Sequence, residues 1–276
     1  MIHQPIHSLE AGKSGFRTIG GPVPREYFYH FPAGLHAASP IIVSVHGISM
    51  NAAEHMVRMR GIAQEAGAAV VAPCFRKELY PRYQQLRDSR TGIRADLALV
   101  DILADVRQRS GIRTPKIHIT GFSGGAQFAH RFAFYHADLV ASCVSCSAGW
   151  YTFPDPEFAF PLGIADGDDP AAMSVHADWR RVPHHVVVGS RDTVVEDSLN
   201  MTPAVVAVQG IGRRTRARRW VKAMNQGRAE AGLPLVSLTE LRSLTHDFSV
   251  AHERHDLGAV IARKMGVLGH EDQSHA

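Results

Sequence analysis

A serine hydroxyl attacks a carbonyl when the backbone lifts it clear of its neighbours and a base stands beside it. One stretch of this chain meets the first requirement. Lys116-Ile-His-Ile-Thr-Gly-Phe-Ser-Gly-Gly-Ala-Gln-Phe-Ala-His-Arg-Phe132 runs from a β-branched strand through Gly121-Phe122-Ser123-Gly124-Gly125 into an apolar helix. A serine on so sharp a strand-to-helix turn leaves no room for side chains two residues before and two after it, and Gly121 and Gly125 fill both positions. The turn also sets the hydroxyl at a helix N-terminus, where developing negative charge is favoured.

A second motif lies upstream. Ile41-Ile-Val-Ser-Val-His-Gly-Ile48 is an apolar strand that ends in His-Gly. Two more lie downstream. His185-Val-Val-Val-Gly-Ser-Arg-Asp192 closes a buried strand on Gly-x-x-Asp, which puts a carboxylate at the strand's carboxyl end. Ser243-Leu-Thr-His246-Asp-Phe248 follows the last strand and offers an imidazole. The competitors are Glu196 and Asp197 for the acid and His252 and His255 for the base. With 17 histidines in the chain, most must be bystanders.

These motifs, in the order serine, acid, histidine, resemble the α/β-hydrolase superfamily. From about Pro24 to Leu268 the chain looks most similar to its polyhydroxybutyrate-depolymerase and feruloyl-esterase-like branch, through Ile42-Val-Ser-Val-His-Gly, Gly-Phe-Ser-Gly-Gly and Thr-His-Asp-Phe. The resemblance implies an esterase in which Ser123 is the nucleophile, His246 the base and Asp192 the residue that orients it. It implies an oxyanion hole made by the backbone N–H groups of Ile48 and Gly124, with His46 structural. The substrates it implies are small short-acyl, hydroxyalkanoate or aryl esters, with no metal or organic cofactor required. A non-catalytic ligand-binding protein on the same fold stands as an alternative. So does a triad enzyme of another reaction: acyl transfer, peptide cleavage or carbon–carbon hydrolysis.

The elements that must position these residues can be read from hydrophobic periodicity. Strands are expected at 41–46, 69–72, 117–120, 140–146, 185–188 and 235–241. Helices are expected at 52–65, 93–108, 124–135, 203–232 (broken near Gly210 and Gly212) and 256–265. Strands alternating with helices predict a mostly parallel sheet with helices on both faces. Arg17–Thr18 and Glu26–Phe31, turned at Gly20-Gly21-Pro22, predict an antiparallel edge. The whole chain, 1–276, is expected to form one α/β-hydrolase domain. Residues 147–183, rich in Pro, Gly and aromatics, read as a small cap-like insertion over the site, with Trp150, Tyr151 and Phe153 as candidate substrate-binding residues.

Composition narrows the partners. Hydrophobic residues at 45% and charged residues at 20% suit a globular chain with a large core. The net charge of +4 owes much to Arg213, Arg214, Arg216, Arg218 and Arg219, which read as the wet face of an amphipathic helix, so no nucleic-acid partner is expected. No stretch approaches the ~20 apolar residues of a membrane span, and Met1 to Gly15 has no apolar signal region, so no membrane partner and a cytoplasmic location are expected. Three cysteines make no disulfide framework. Cys143 and Cys146, three apart on a strand, should point to opposite faces and share neither a bond nor a metal. Asp166-Gly-Asp-Asp169 lacks the spacing of a calcium loop and reads as a solvated turn.

Overall fold

The computed structural model describes residues 12–166 and 173–269. The Gly167–Asp169 part of the acidic turn, the segment 1–11 and the polar tail 270–276 lie outside them. Eight strands form one sheet: β1 (Lys13–Ile19), β2 (Arg25–Phe31), β3 (Ile41–Val45), β4 (Ala69–Pro73), β5 (Ile117–Phe122), β6 (Val140–Cys146), β7 (His184–Gly189) and β8 (Ser237–Leu241). Their spatial order is β1-β2-β4-β3-β5-β6-β7-β8. β1 and β2 pair antiparallel, as do β2 and β4, and every other pairing is parallel.

The central strands are buried on both faces, and their period-two alternation splits the core. Ile41, Val43, Val45, Val186 and Val188 join the layer of Phe128, Phe132 and Trp220. Ile42, Val187 and Val144 join the layer of Met56, Met59 and Ile261. Cys143 falls in the first layer and Cys146 in the second, so both are free buried thiols on opposite faces, as the strand spacing requires. Each fully buried Val or Ile contributes roughly 1.5–3 kcal/mol of hydrophobic stabilisation.

The first layer is covered by α2 (Ala95–Ser110), α3 (Gly124–Tyr135) and α5 (Arg213–Asn225), and the second by α1 (Ala52–Ala66), α6 (Phe248–His255) and α7 (Leu257–Met265). A short α4 (Pro203–Gln209) ends at Gly210 (φ 81°), and Gly212 (φ 79°) caps α5, which is the break expected inside 203–232. The element α6 is additional to the helices read from sequence. Asp247 caps it, its carboxylate accepting the Val250 N–H at 2.8 Å.

The topology fixes where a site can lie. After β3 the chain crosses to β4 on one side, whereas after β5 it moves to β6 on the other. The loops leaving β3 and β5 therefore diverge from adjacent strand ends and open a crevice there.

Candidate active site

The crevice is occupied by the two loops that carry His46-Gly47-Ile48 and Ser123. Ser123 holds φ 54° and ψ −111°, a conformation costly for a residue with a side chain. The glycines show what holds it there. A Cβ on Gly121 would lie 2.3 Å from the carbonyl of Gly125, and one on Gly125 would lie 1.9 Å from the carbonyl oxygen of Val45. The turn is thus closed on itself and on the neighbouring strand.

The β3 loop is fixed by His46, which is fully buried. Its Nδ1 donates to Gly47 O at 2.7 Å, and Nε2 accepts the Phe75 N–H at 2.9 Å. Burial lowers its pKa to about 4, so it stays neutral and structural. The Tyr83 hydroxyl donates to His46 O at 2.8 Å. A Cβ on Gly124 would lie 3.5 Å from Ile48 N, so the first residue of α3 packs against the backbone of Ile48. Among the described residues neither the Ile48 N–H nor the Gly124 N–H has a hydrogen-bond acceptor.

The acid flank is assembled around Gly189. A Cβ there would lie 2.2 Å from Leu244 O, so only glycine lets the loop after β8 lie across the end of β7. Arg191 N donates to Leu244 O and Ser243 N to Ser190 Oγ, both at 2.9 Å. This contact carries His246 over the sheet edge. His246 Nε2 stands 3.0 Å from Ser123 Oγ, and Nδ1 stands 2.9 Å from Asp192 Oδ2. A carboxylate only accepts, so Nδ1 carries the proton and the Nε2 lone pair faces the serine hydroxyl. Phe122 stacks on the imidazole at 5.0 Å between centroids. Asp192 is buried. The structure thus brings Ser123, Asp192 and His246 together.

The remaining candidates fall elsewhere. Asp197 is exposed on its loop. His252 and His255 lie on α6, where His252 packs edge-on against Phe248, and burial lowers its pKa to about 4. Trp150, Tyr151 and Phe153 do not line the cavity at Ser123. The Arg131 guanidinium sits 4.3 Å over the Trp150 ring. Tyr151 is fully buried against Trp220 at 4.8 Å. Phe153 borders a separate hollow with Trp179 and Met224. Residues 147–183, as far as they are described, therefore wall the α3 and α5 side rather than cap the serine. Tyr151, Phe153 and Trp179 belong to the core on that side.

The cavity at Ser123, about 240 Å³, is instead bounded by the β3 loop (Ile48, Ser49, Asn51), by Phe122 and Phe248, and by Glu196 and Ser198 from the loop after β7. Behind that loop lies the largest departure from the sequence reading. Arg213 and Arg216 are buried rather than on a wet face. Arg213 Nη1 reaches Asp192 Oδ1 at 3.4 Å and Nη2 reaches Glu196 Oε2 at 3.3 Å. Arg216 donates to the carbonyls of Gly210, Gly149 and Asn200 at 2.8–2.9 Å. A signal for this existed: Arg213, Arg216, Ala217, Trp220 and Met224 repeat at three and four residues, so both arginines share the stripe of Trp220.

Among the described residues no group of three or more His, Cys, Asp or Glu is arranged to hold a metal, and no helix is long and apolar enough to cross a membrane.

The sheet order, the antiparallel edge and a serine on a left-handed turn between strand and helix define the α/β-hydrolase fold. No protein-family model matches the sequence, and no curated protein is found to be similar to it. Solved structures are similar in fold. A poly(aspartic acid) hydrolase from Sphingomonas sp. KT-1 shares 22% identity at a TM-score of 0.77, over 91% of this chain and 99% of that one. A poly(3-hydroxybutyrate) depolymerase from Bordetella parapertussis shares 24% at 0.71, over 92% and 96%. A ferulic acid esterase shares 15% at 0.58, over 93% and 98%. The last two bear the names of the branch that the sequence motifs resemble.

Proposed function

We propose that this protein is a serine hydrolase that cleaves a carboxylic ester through an acyl-enzyme on Ser123. The observation that carries the reading is the continuous hydrogen-bond path Ser123 Oγ, His246 Nε2, His246 Nδ1, Asp192 Oδ2, at 3.0 and 2.9 Å. Ser123 Oγ attacks the ester carbonyl and passes its proton to His246 Nε2, while Asp192 stabilises the imidazolium and fixes the tautomer. The carbonyl oxygen, now an anion, takes the N–H groups of Ile48 and Gly124, which have no other acceptor among the described residues. Collapse breaks the bond to the alcohol oxygen, which leaves with the proton from Nε2. Water, deprotonated by the same nitrogen, then releases the acid and restores the serine.

The small cavity with its Phe122 and Phe248 walls suits short-acyl or aryl esters. A polyester or polyamide substrate, as the names of two structural neighbours suggest for those proteins, would have to present a chain end or loop to it. Mixing the protein with p-nitrophenyl acetate should give a burst of p-nitrophenol stoichiometric with protein and one acetyl group on Ser123. Acetyl-free protein that still turns over the ester would rule out the acyl-enzyme. Binding without any burst would make the protein a ligand binder on this fold.

A further inference from the structure

The loop after β7 brings a second carboxylate to the cavity, and the ester chemistry above has no use for it. Glu196 lines the wall, and its side chain is 46% exposed, whereas Arg213 behind it is 2% exposed. Glu196 Oε2 takes Arg213 Nη2 at 3.3 Å and Ser198 Oγ at 3.4 Å, and Oε1 has no partner among the described residues. Arg213 spends its other arm on Asp192. One guanidinium therefore faces two carboxylates, and the cluster keeps one uncompensated negative charge. Asp192 is buried and committed to His246, so Glu196 is where that charge meets a ligand.

Nothing on the wall opposes it. Among the described residues no lysine or arginine lines the cavity, and its other residues are apolar, hydroxyl, amide or imidazole. In a partly enclosed site of this kind the excess carboxylate charge attracts a cation and repels an anion more strongly than it would in open water. Ile48, which lines the cavity and is exposed, offers apolar surface for a substrate's carbon chain.

Building on the reading of Ser123 as an esterase nucleophile, we infer that Glu196 sets specificity: the site selects esters that end in an ammonium group, on the acyl or the alcohol side, over esters that end in a carboxylate. Hydroxyalkanoate oligomers with a free acid end are disfavoured by the same charge. Glu196 acts on the substrate directly, and Arg213 holds it in place.

The test compares kcat/KM for matched esters in the wild type and in Glu196→Gln, a near-isosteric change at a half-exposed position. Methyl γ-aminobutyrate, methyl valerate and monomethyl succinate place a cation, no charge and an anion at the acyl end. Acetylcholine and its uncharged carbon isostere place a cation and no charge at the alcohol end. The wild type should favour at least one ammonium ester over its neutral partner by about five- to tenfold and disfavour monomethyl succinate by a similar factor, with both ratios shrinking as salt is added. Glu196→Gln should bring the ratios close to one. Because each ratio is taken against a neutral ester in the same protein, a general loss of activity in the variant cancels. Ratios unchanged by Glu196→Gln, or a wild type that prefers monomethyl succinate, would overturn the inference. Failure of the wild type to hydrolyse methyl valerate or the neutral acetate at all would count instead against the ester reading itself.

Discussion

The two flanks of the site are held by different means. On the serine side the backbone does the holding: Gly121, Gly125 and Val45 are packed so closely that a single added carbon would overlap a carbonyl. No charged side chain takes part. On the acid side one glycine, Gly189, seats the loop after β8, and guanidinium groups hold the rest, with Arg213 between Asp192 and Glu196 and Arg216 tying three carbonyls of separate loops. The serine flank should therefore be intolerant of added volume and the acid flank intolerant of lost charge.

The largest effect belongs to the atom both flanks serve. Ser123→Ala should lower kcat for p-nitrophenyl acetate by about 10⁴-fold or more, measured at saturating substrate, with the fold intact by circular dichroism. Next is a test of the steric flank. Gly125→Ala would place its carbon 1.9 Å from Val45 O and should lower stability by about 3 kcal/mol or more in urea titrations. The control is Gly61→Ala, in α1 with nothing within 4 Å of the new carbon, which should raise stability by about 0.5–1 kcal/mol. Equal responses of the two variants would erase the steric half of the comparison.

For the electrostatic flank, Arg213→Met keeps volume and removes charge. It should lower kcat about tenfold to a hundredfold on a neutral ester while leaving KM within about twofold, because Asp192 loses its anchor rather than the substrate its contacts. Arg213→Lys should recover part of the loss. A change confined to KM would show that Arg213 acts on binding instead of on the acid.

The difference between the flanks also explains what could be read without coordinates. Backbone constraints write themselves into local sequence, since only glycine fits at 121, 125 and 189. The strand-turn-helix, the His-Gly loop and the Gly-x-x-Asp turn were therefore legible, as was the alternation that buries Cys143 and Cys146 on opposite faces. Side-chain anchoring is not local. Arg213 and Arg216 look solvated until their acceptors arrive from Asp192, Gly149 and Asn200, far away in the chain. Trp150 and Tyr151 misled for the same reason: aromatics after β6 suit a pocket or a core equally, and here Arg131 and Trp220 claim them. The short α6 carries too few apolar positions to announce itself beyond its Asp247 cap.

The most gradual effect is acid lability. Burial lowers the pKa values of His46, His184 and His185 from 6.5 to about 4. Between those pH values the unfolded chain takes up protons that the folded chain refuses, so stability is full above 6.5 and declines as pH falls toward 4. The slope should approach about 1.4 kcal/mol per pH unit for each such histidine. Urea titrations from pH 7 to pH 4 measure it, and a flat profile would mean these imidazoles are protonated in place.

The central claim is that Ser123 is an activated nucleophile, and reaction with a fluorophosphonate followed by intact mass and peptide mapping tests it most directly. One adduct per chain, on Ser123 and lost in His246→Ala, is the predicted result. Unmodified protein, or an adduct on any other residue, would contradict the account.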